Sequence, residues 1–159
     1  MRSRRYRFLT TWILPSSRES AWEVLEDVER WQEWWRGVER VSLVAPGDDG
    51  PLGCCYRIAW RSRIPYELEF DFTVHRVEAP RLMQGTAAGE LTGSGTWRLF
   101  EQDGVCAVIY EWDVDTTKRW MNLLAPLARP VFEYNHDLVM RWGGEGLARR
   151  LGVRLVAAG

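Results

Sequence analysis

Two histidines, His75 and His136, and three cysteines, Cys54, Cys55 and Cys106, are the side chains here best suited to nucleophilic or metal chemistry. A hydrolytic triad needs a nucleophile, a base and an orienting partner, and neither histidine lies in a motif that supplies them. Metal ligation needs His, Cys or carboxylate groups at short, clustered spacing, which these five residues do not show. The expectation is therefore no metal and no cofactor. Cys54 and Cys55 would point to opposite sides of a strand, so at most one could meet a ligand. What remains is a set of polar-tipped aromatics, Tyr56, Trp60, Tyr66, Trp97, Tyr110 and Trp112, with Asn135 and with Glu90 beside a run of glycines. If these converge on an apolar cavity, tyrosine and a desolvated glutamate can donate and accept protons. Binding needs only the shape, and packing alone also explains an inward-facing ring. No residue is assigned a catalytic role.

The elements that would position these groups follow from hydrophobic periodicity. Tyr6 to Leu14 alternates with period two and is rich in aromatic and β-branched residues, which predicts a strand ended by Pro15. Ser16 and Glu19 have capping-box spacing for a helix over Arg18 to Asp27 that buries Ala21, Trp22 and Leu25. A second short helix, about Glu29 to Trp35, clusters Trp31, Trp34 and Trp35 on one side before Gly37 stops it. From Val38 onward, turn chemistry at 47–51, 62–65, 78–80 and 102–104 divides a six-stranded meander. Tyr56, Ile58 and Trp60 share one parity, as do Tyr66, Leu68, Phe70, Phe72 and Val74, while Arg57, Glu69, Asp71 and His75 take the other. An antiparallel sheet with one covered face reads this way, and it places His75 on the surface.

The stretch GTAAGELTGSG would make two strands almost bare of side chains. Such backbone suits either close packing of a helix or the wall of a cavity, and the two are compatible. Arg119 to Leu151 is the only segment long enough for a long helix. Pro126 and Pro130 argue for a lead-in turn and a helix from about Pro130. Val131, Leu138, Val139 and Trp142 fall on its apolar stripe, with Phe132 and His136 at the edge, which favours a structural role for His136. Asn135 and Gly146 project into the middle of that stripe. Asn135 reads equally as a satisfied buried amide or a ligand contact. The absent side chain of Gly146 reads equally as a hint of a cavity or, with Gly143 and Gly144, as a frayed or bent helix end.

A chain of 159 residues favours one domain, spanning 1–159, with one core. Its 21 basic and 22 acidic residues nearly cancel, so no global field favours nucleic acid or an anionic membrane. No apolar run reaches a membrane span, and the basic start MRSRRYRF has no signal core behind it, so a cytoplasmic protein is expected. Ten tryptophans suggest a broad apolar interior with polar edges.

The order strand, two short helices, six strands, long helix predicts an α+β fold: a seven-stranded curved antiparallel sheet wrapped around the last helix. The aromatic first strand ending in Pro15, AWEVLEDVERWQEWWRGV, GELTGSGTW, and LAPLARPVFEYNHDLVM followed by GGEGLARRL together resemble the START-like (SRPBCC) superfamily with its helix-grip fold. The likeness is to its bacterial polyketide cyclase/dehydrase-like members, and it spans nearly the whole chain. That resemblance implies an elongated cavity between sheet and last helix for an apolar or aromatic small molecule such as a lipid or polyketide. It implies a carrier or sensor or, alternatively, an aromatase/cyclase or dehydratase acting on a bound poly-β-keto chain. Fold membership does not choose among these. A homodimer is compatible with either. An interaction protein whose interior is filled by its own rings would leave no void above about 300 Å³ under the last helix.

Overall fold

The computed structural model describes residues 5–159. Strand β1, Arg5–Leu14, is followed by helix α1, Arg18–Glu26, a 3₁₀ turn over Val28–Arg30 and helix α2, Trp31–Trp34. Six strands follow: β2 Val38–Ala45, β3 Cys55–Arg61, β4 Glu67–Glu78, β5 Leu82–Gly89, β6 Leu91–Gln102 and β7 Val105–Thr116. Helix α3, Arg119–Leu123, leads into the long helix α4, Ala125–Leu151, and a short strand β8, Ala157–Ala158, ends the fold. The strands form one antiparallel sheet in the order β2-β3-β4-β5-β6-β7-β1-β8. The expected α+β helix-grip arrangement is present, with eight strands instead of seven. The extra strand is two residues long and pairs with Trp12 and Ile13, too short to leave a periodic signal.

All four turn stretches separate strands, and the parity argument holds. Tyr56, Ile58, Phe70, Phe72 and Val74 are buried toward the helices, whereas Arg57 and His75 are exposed. Cross-strand ion pairs knit the outer face, among them Arg57 with Asp71, Arg98 with Glu111 and Arg5 with Asp113. Each exposed pair contributes little to stability. The α1 cap is one residue later than expected. Ser17 Oγ, not Ser16, accepts from the Ser20 amide at 3.1 Å, and Glu101 from β6 accepts from the Arg18 amide at 2.6 Å.

The long helix starts earlier than the prolines suggest. Pro126 lies in its first turn, where no intrahelical donor is needed. Pro130 removes only the bond to the Pro126 carbonyl, and both residues are exposed, so water can serve that oxygen. At the other end the glycines are not frayed. Gly143, Gly144 and Gly146 are buried inside the helix, each against an indole-bearing residue. A Cβ on Gly143 would stand 2.5 Å from the Trp35 ring, one on Gly144 2.9 Å from Trp12, and one on Gly146 2.0 Å from the Trp34 carbonyl oxygen. Trp35 Nε1 donates to the Val139 carbonyl at 2.8 Å, which ties α2 to the groove these glycines open. The helix ends at Gly152, whose φ of 67° is the left-handed cap that glycine adopts without strain.

The glycine-rich hairpin also resolves. Gly95 pairs with Gly85 across β5 and β6. A Cβ on Gly85 would meet the Phe72 ring at 2.6 Å, and one on Gly95 the Tyr110 hydroxyl at 2.8 Å and the Trp112 ring at 2.9 Å. The bare backbone is thus covered by aromatic rings of neighbouring strands, not directly by the helix. Glycine lets those rings lie flat on the sheet.

Candidate functional site

Between the sheet and α4 lies a cavity of about 440 Å³. A ligand pocket is commonly 300–1,000 Å³. The tryptophans therefore leave the interior open, which contradicts the filled-core alternative. Its floor is an aromatic stack built by strand register. Trp97 and Tyr110 are direct cross-strand partners, and their ring centroids lie 4.1 Å apart, nearly parallel at 22°. Tyr110 continues onto Trp112 at 5.8 Å, and Trp112 onto Phe70 at 5.3 Å. Trp31, Trp35 and Trp60 close the end under α2, with Trp35 edge-on to Trp60 at 5.0 Å. Such offset and edge contacts are favourable beyond the area they bury. Of the three clustered indoles, Trp31 and Trp35 line the cavity, while Trp34 lies against Gly146 of α4.

Six of the eight sequence-nominated residues line this space: Trp60, Tyr66, Trp97, Tyr110, Trp112 and Asn135. Tyr56 does not. It shares a face with Trp60 but sits four residues back along β3, at roughly 13 Å by strand rise, where it is buried beside Cys54 and within reach of the charges of Asp27 and Glu29. Burial raises its hydroxyl pKa, so it stays a neutral core group. Glu90 does not line the cavity either. It lies at the β5–β6 turn, where its carboxylate accepts from the Glu69 amide at 2.9 Å and pairs with Lys118 at 2.5 Å. It reaches the cavity only through the Tyr66 hydroxyl, at 3.4 Å. Held by a backbone donor of β4 and by Lys118, the carboxylate braces the mouth.

Asn135 is neither lone nor simply satisfied. Its Oδ1 accepts from Ser62 Oγ at 2.9 Å, and Ser62 in turn accepts from the Ile64 amide at 3.3 Å. Together Ser62 and Asn135 form a small uncharged polar station on a largely aromatic and aliphatic wall, beside Arg61. Burial raises the Tyr110 hydroxyl far above its ordinary range, so over Gly95 it can donate a hydrogen bond but not act as a base.

His136 also lines the cavity, which its position at the stripe edge did not indicate. Its ring stacks on Phe8 with centroids 3.7 Å apart. Both ring nitrogens are buried without a hydrogen-bond partner among the described residues. Burial pushes its pKa down from 6.5 to about 4, although the Asp137 carboxylate, 3.5 Å from Nδ1, pulls the other way. It is a neutral aromatic wall at physiological pH. Among the described residues, no three His, Cys, Asp or Glu side chains are grouped to hold a metal ion. Burial raises the Cys106 thiol to about 11, which keeps it unreactive.

Most of the mouth was missed from sequence, which places only Val131, on the apolar stripe of the last helix. Trp120, Met121, Leu124, Leu127 and Val131 line it from α3 and the first turns of α4. Trp120 packs edge-on against Tyr66 at 5.5 Å, and Lys118 lies 4.9 Å over the same ring. The signal was the apolar run between Arg119 and Val131, hidden because two prolines made that stretch read as a mere lead-in. The polar station makes one expectation concrete. Asn135→Leu should weaken binding of a ligand carrying a hydrogen-bond acceptor or donor by about tenfold, the worth of one such bond. Because Asn135 has a partner in Ser62, it should also lower stability by about 1 kcal/mol. Titration and urea denaturation of the same variant check both.

No curated protein sequence matches the chain. Among solved structures, the Zhui aromatase/cyclase from Streptomyces sp. R1128 is similar with TM-score 0.78 at 16% identity, over 93% of this chain and 94% of that one. A protein from Thermus thermophilus is similar with TM-score 0.71 at 14% identity, over 92% and 98%. A norcoclaurine synthase point mutant from Thalictrum is similar with TM-score 0.63 at 11% identity, over 92% and 94%. At these identities the likeness establishes the fold alone. The family model described as polyketide cyclase / dehydrase and lipid transport matches residues 8–155, so the chain belongs to that family.

Proposed function

We propose that this protein binds a neutral, apolar or aromatic small molecule in the cavity under α4 and carries or senses it. The observation that supports this reading is the character of the wall. It is an open space of about 440 Å³ surrounded by stacked rings, whose one imidazole is held neutral and whose main polar station is the uncharged Ser62–Asn135 pair. Such a wall gains from desolvating flat apolar surface, and its one charged lining residue, Arg61, is half exposed and pairs with Glu67 at 3.5 Å. Flat rings also fit the face of the Trp97–Tyr110 stack.

The family and the likeness to an aromatase/cyclase favour a second reading, cyclisation or dehydration of a bound poly-β-keto chain. Tyr110 and Tyr66 would then donate hydrogen bonds to a substrate carbonyl and its developing oxyanion. One experiment separates the two. The protein is titrated by tryptophan emission and native mass spectrometry with fatty acids, sterols and polyphenols, then incubated with a linear poly-β-keto substrate. A carrier binds one molecule and returns it unchanged. Ring closure with a regiochemistry absent from the protein-free control establishes the enzyme instead. Failure of every probe to bind below about 1 mM, where binding energy is only about 4 kcal/mol, removes both readings.

A further inference from the structure

The side chains at the cavity mouth also form an extended apolar patch on the surface. Leu123 is 83% exposed and Leu127 78%, and Trp120, Leu124, Val131 and Tyr134 are each about half exposed. Leu124, Leu127, Val131 and Tyr134 recur at helical spacing, so they form one continuous stripe along the start of α4, with α3 at its end. A contiguous apolar patch of this kind on a folded chain marks an interaction surface.

The charges around it identify the partner. Between Thr116 and Phe132 the chain carries Lys118, Arg119 and Arg129; Lys118 is paired with Glu90 and Arg129 with Glu133, which leaves Arg119 as the rim charge of this segment. Arg119 is exposed at the first position of α3 and makes no ion pair among the described residues. Arg63 joins the rim from the β3–β4 loop, donating to the Tyr134 hydroxyl at 3.4 Å. A second copy docked through the same patch would set these cations against one another, because a two-fold interface brings each surface to its own image. Anionic headgroups would pair with them, while Trp120 and Tyr134 are the residue types that settle at the membrane–water boundary. The net charge of −1 supplies no general attraction to such a surface; the rim acts locally, within a Debye length.

We propose that the α3–α4 segment docks the protein on the surface of an anionic lipid bilayer, with Leu123 and Leu127 inserted among the acyl chains and Arg119 and Arg63 at headgroup level. The cavity mouth then opens onto the bilayer. If the cavity holds an apolar molecule, as proposed above, that molecule passes between bilayer and cavity without crossing water.

Co-sedimentation with phosphatidylglycerol/phosphatidylcholine vesicles tests this, with pure phosphatidylcholine vesicles as the neutral comparison. The parent protein should bind the anionic vesicles, and binding should fall as salt rises. Arg119→Glu combined with Leu123→Glu should weaken binding by about tenfold or more, since it removes one inserted side chain and reverses one rim charge. Neither residue lines the cavity, so saturable binding of the neutral fluorophore N-phenyl-1-naphthylamine should be unchanged in that variant. Docking and cavity binding can therefore fail separately. The proposal is overturned if the parent does not bind anionic vesicles, or if the double variant binds them as well as the parent. It is also overturned if light scattering shows a dimer that the double variant dissociates while vesicle binding is absent, which would make a second copy the occupant.

Discussion

Replacing Gly146 with alanine is expected to lower folding stability by about 3 kcal/mol, although the same change in an exposed helix interior raises it by about 1 kcal/mol. The added methyl would stand 2.0 Å from the Trp34 carbonyl oxygen, which is backbone and can retreat only if α2 moves as a unit. That movement would disturb Trp35, whose indole is bonded to the Val139 carbonyl and closes one end of the cavity. Glu145→Ala, one residue away and exposed, should change stability by no more than about 0.5 kcal/mol. Urea denaturation of both variants checks the contrast. A gain in stability for Gly146→Ala would mean that the end of α4 does not press against α2.

The second large effect is pH dependence. His136 titrates near 4 in the folded protein and near 6.5 when unfolded, so between those values the unfolded chain binds more protons. Its contribution is therefore fully present above about pH 6.5 and is lost as pH falls toward 4. The difference amounts to about 3 kcal/mol over that window. Asp113, Glu67 and Glu78, each held low by an arginine, also weaken the fold in acid, so the parent curve alone does not isolate the histidine. His136→Phe keeps an aromatic ring on Phe8 and removes the titrating group. Its stability curve should be flatter than the parent's by about 3 kcal/mol between pH 6.5 and 4, with little difference at pH 8. Parallel curves for the two proteins would show that the imidazole is not desolvated.

Much of this architecture is legible in the chain because it is written in local chemistry. Turn residues at 47–51, 62–65, 78–80 and 102–104 separate the strands, and alternation decides which side of each strand is buried. Alternation does not say how far along a strand the cavity extends. Tyr56 and Trp60 therefore looked equivalent, although only Trp60 reaches it. Glu90 shows a second limit. Its neighbours in sequence are glycines, but its partners, Lys118 and the Glu69 amide, come from distant segments and turn the carboxylate away from the cavity. The three glycines of α4 show a third. A helix-breaking residue and a seat for an indole leave the same letter in the sequence, and only the arrival of Trp12, Trp34 and Trp35 distinguishes them. The prolines hid the mouth for a related reason, since Pro126 in a first turn and Pro130 beside an exposed carbonyl do not stop the helix.

The most direct measurement is titration of the protein with N-phenyl-1-naphthylamine, exciting tryptophan and recording energy transfer, in parent and in Ala128→Phe. Ala128 faces the cavity from α4, and the added phenyl ring occupies part of its volume. The expected result is saturable one-to-one binding at about micromolar concentration, worth about 8 kcal/mol, weakened by at least about tenfold in Ala128→Phe while the fold is retained. Binding that is non-saturable up to about 1 mM, or that Ala128→Phe leaves unchanged, would contradict a ligand site under α4.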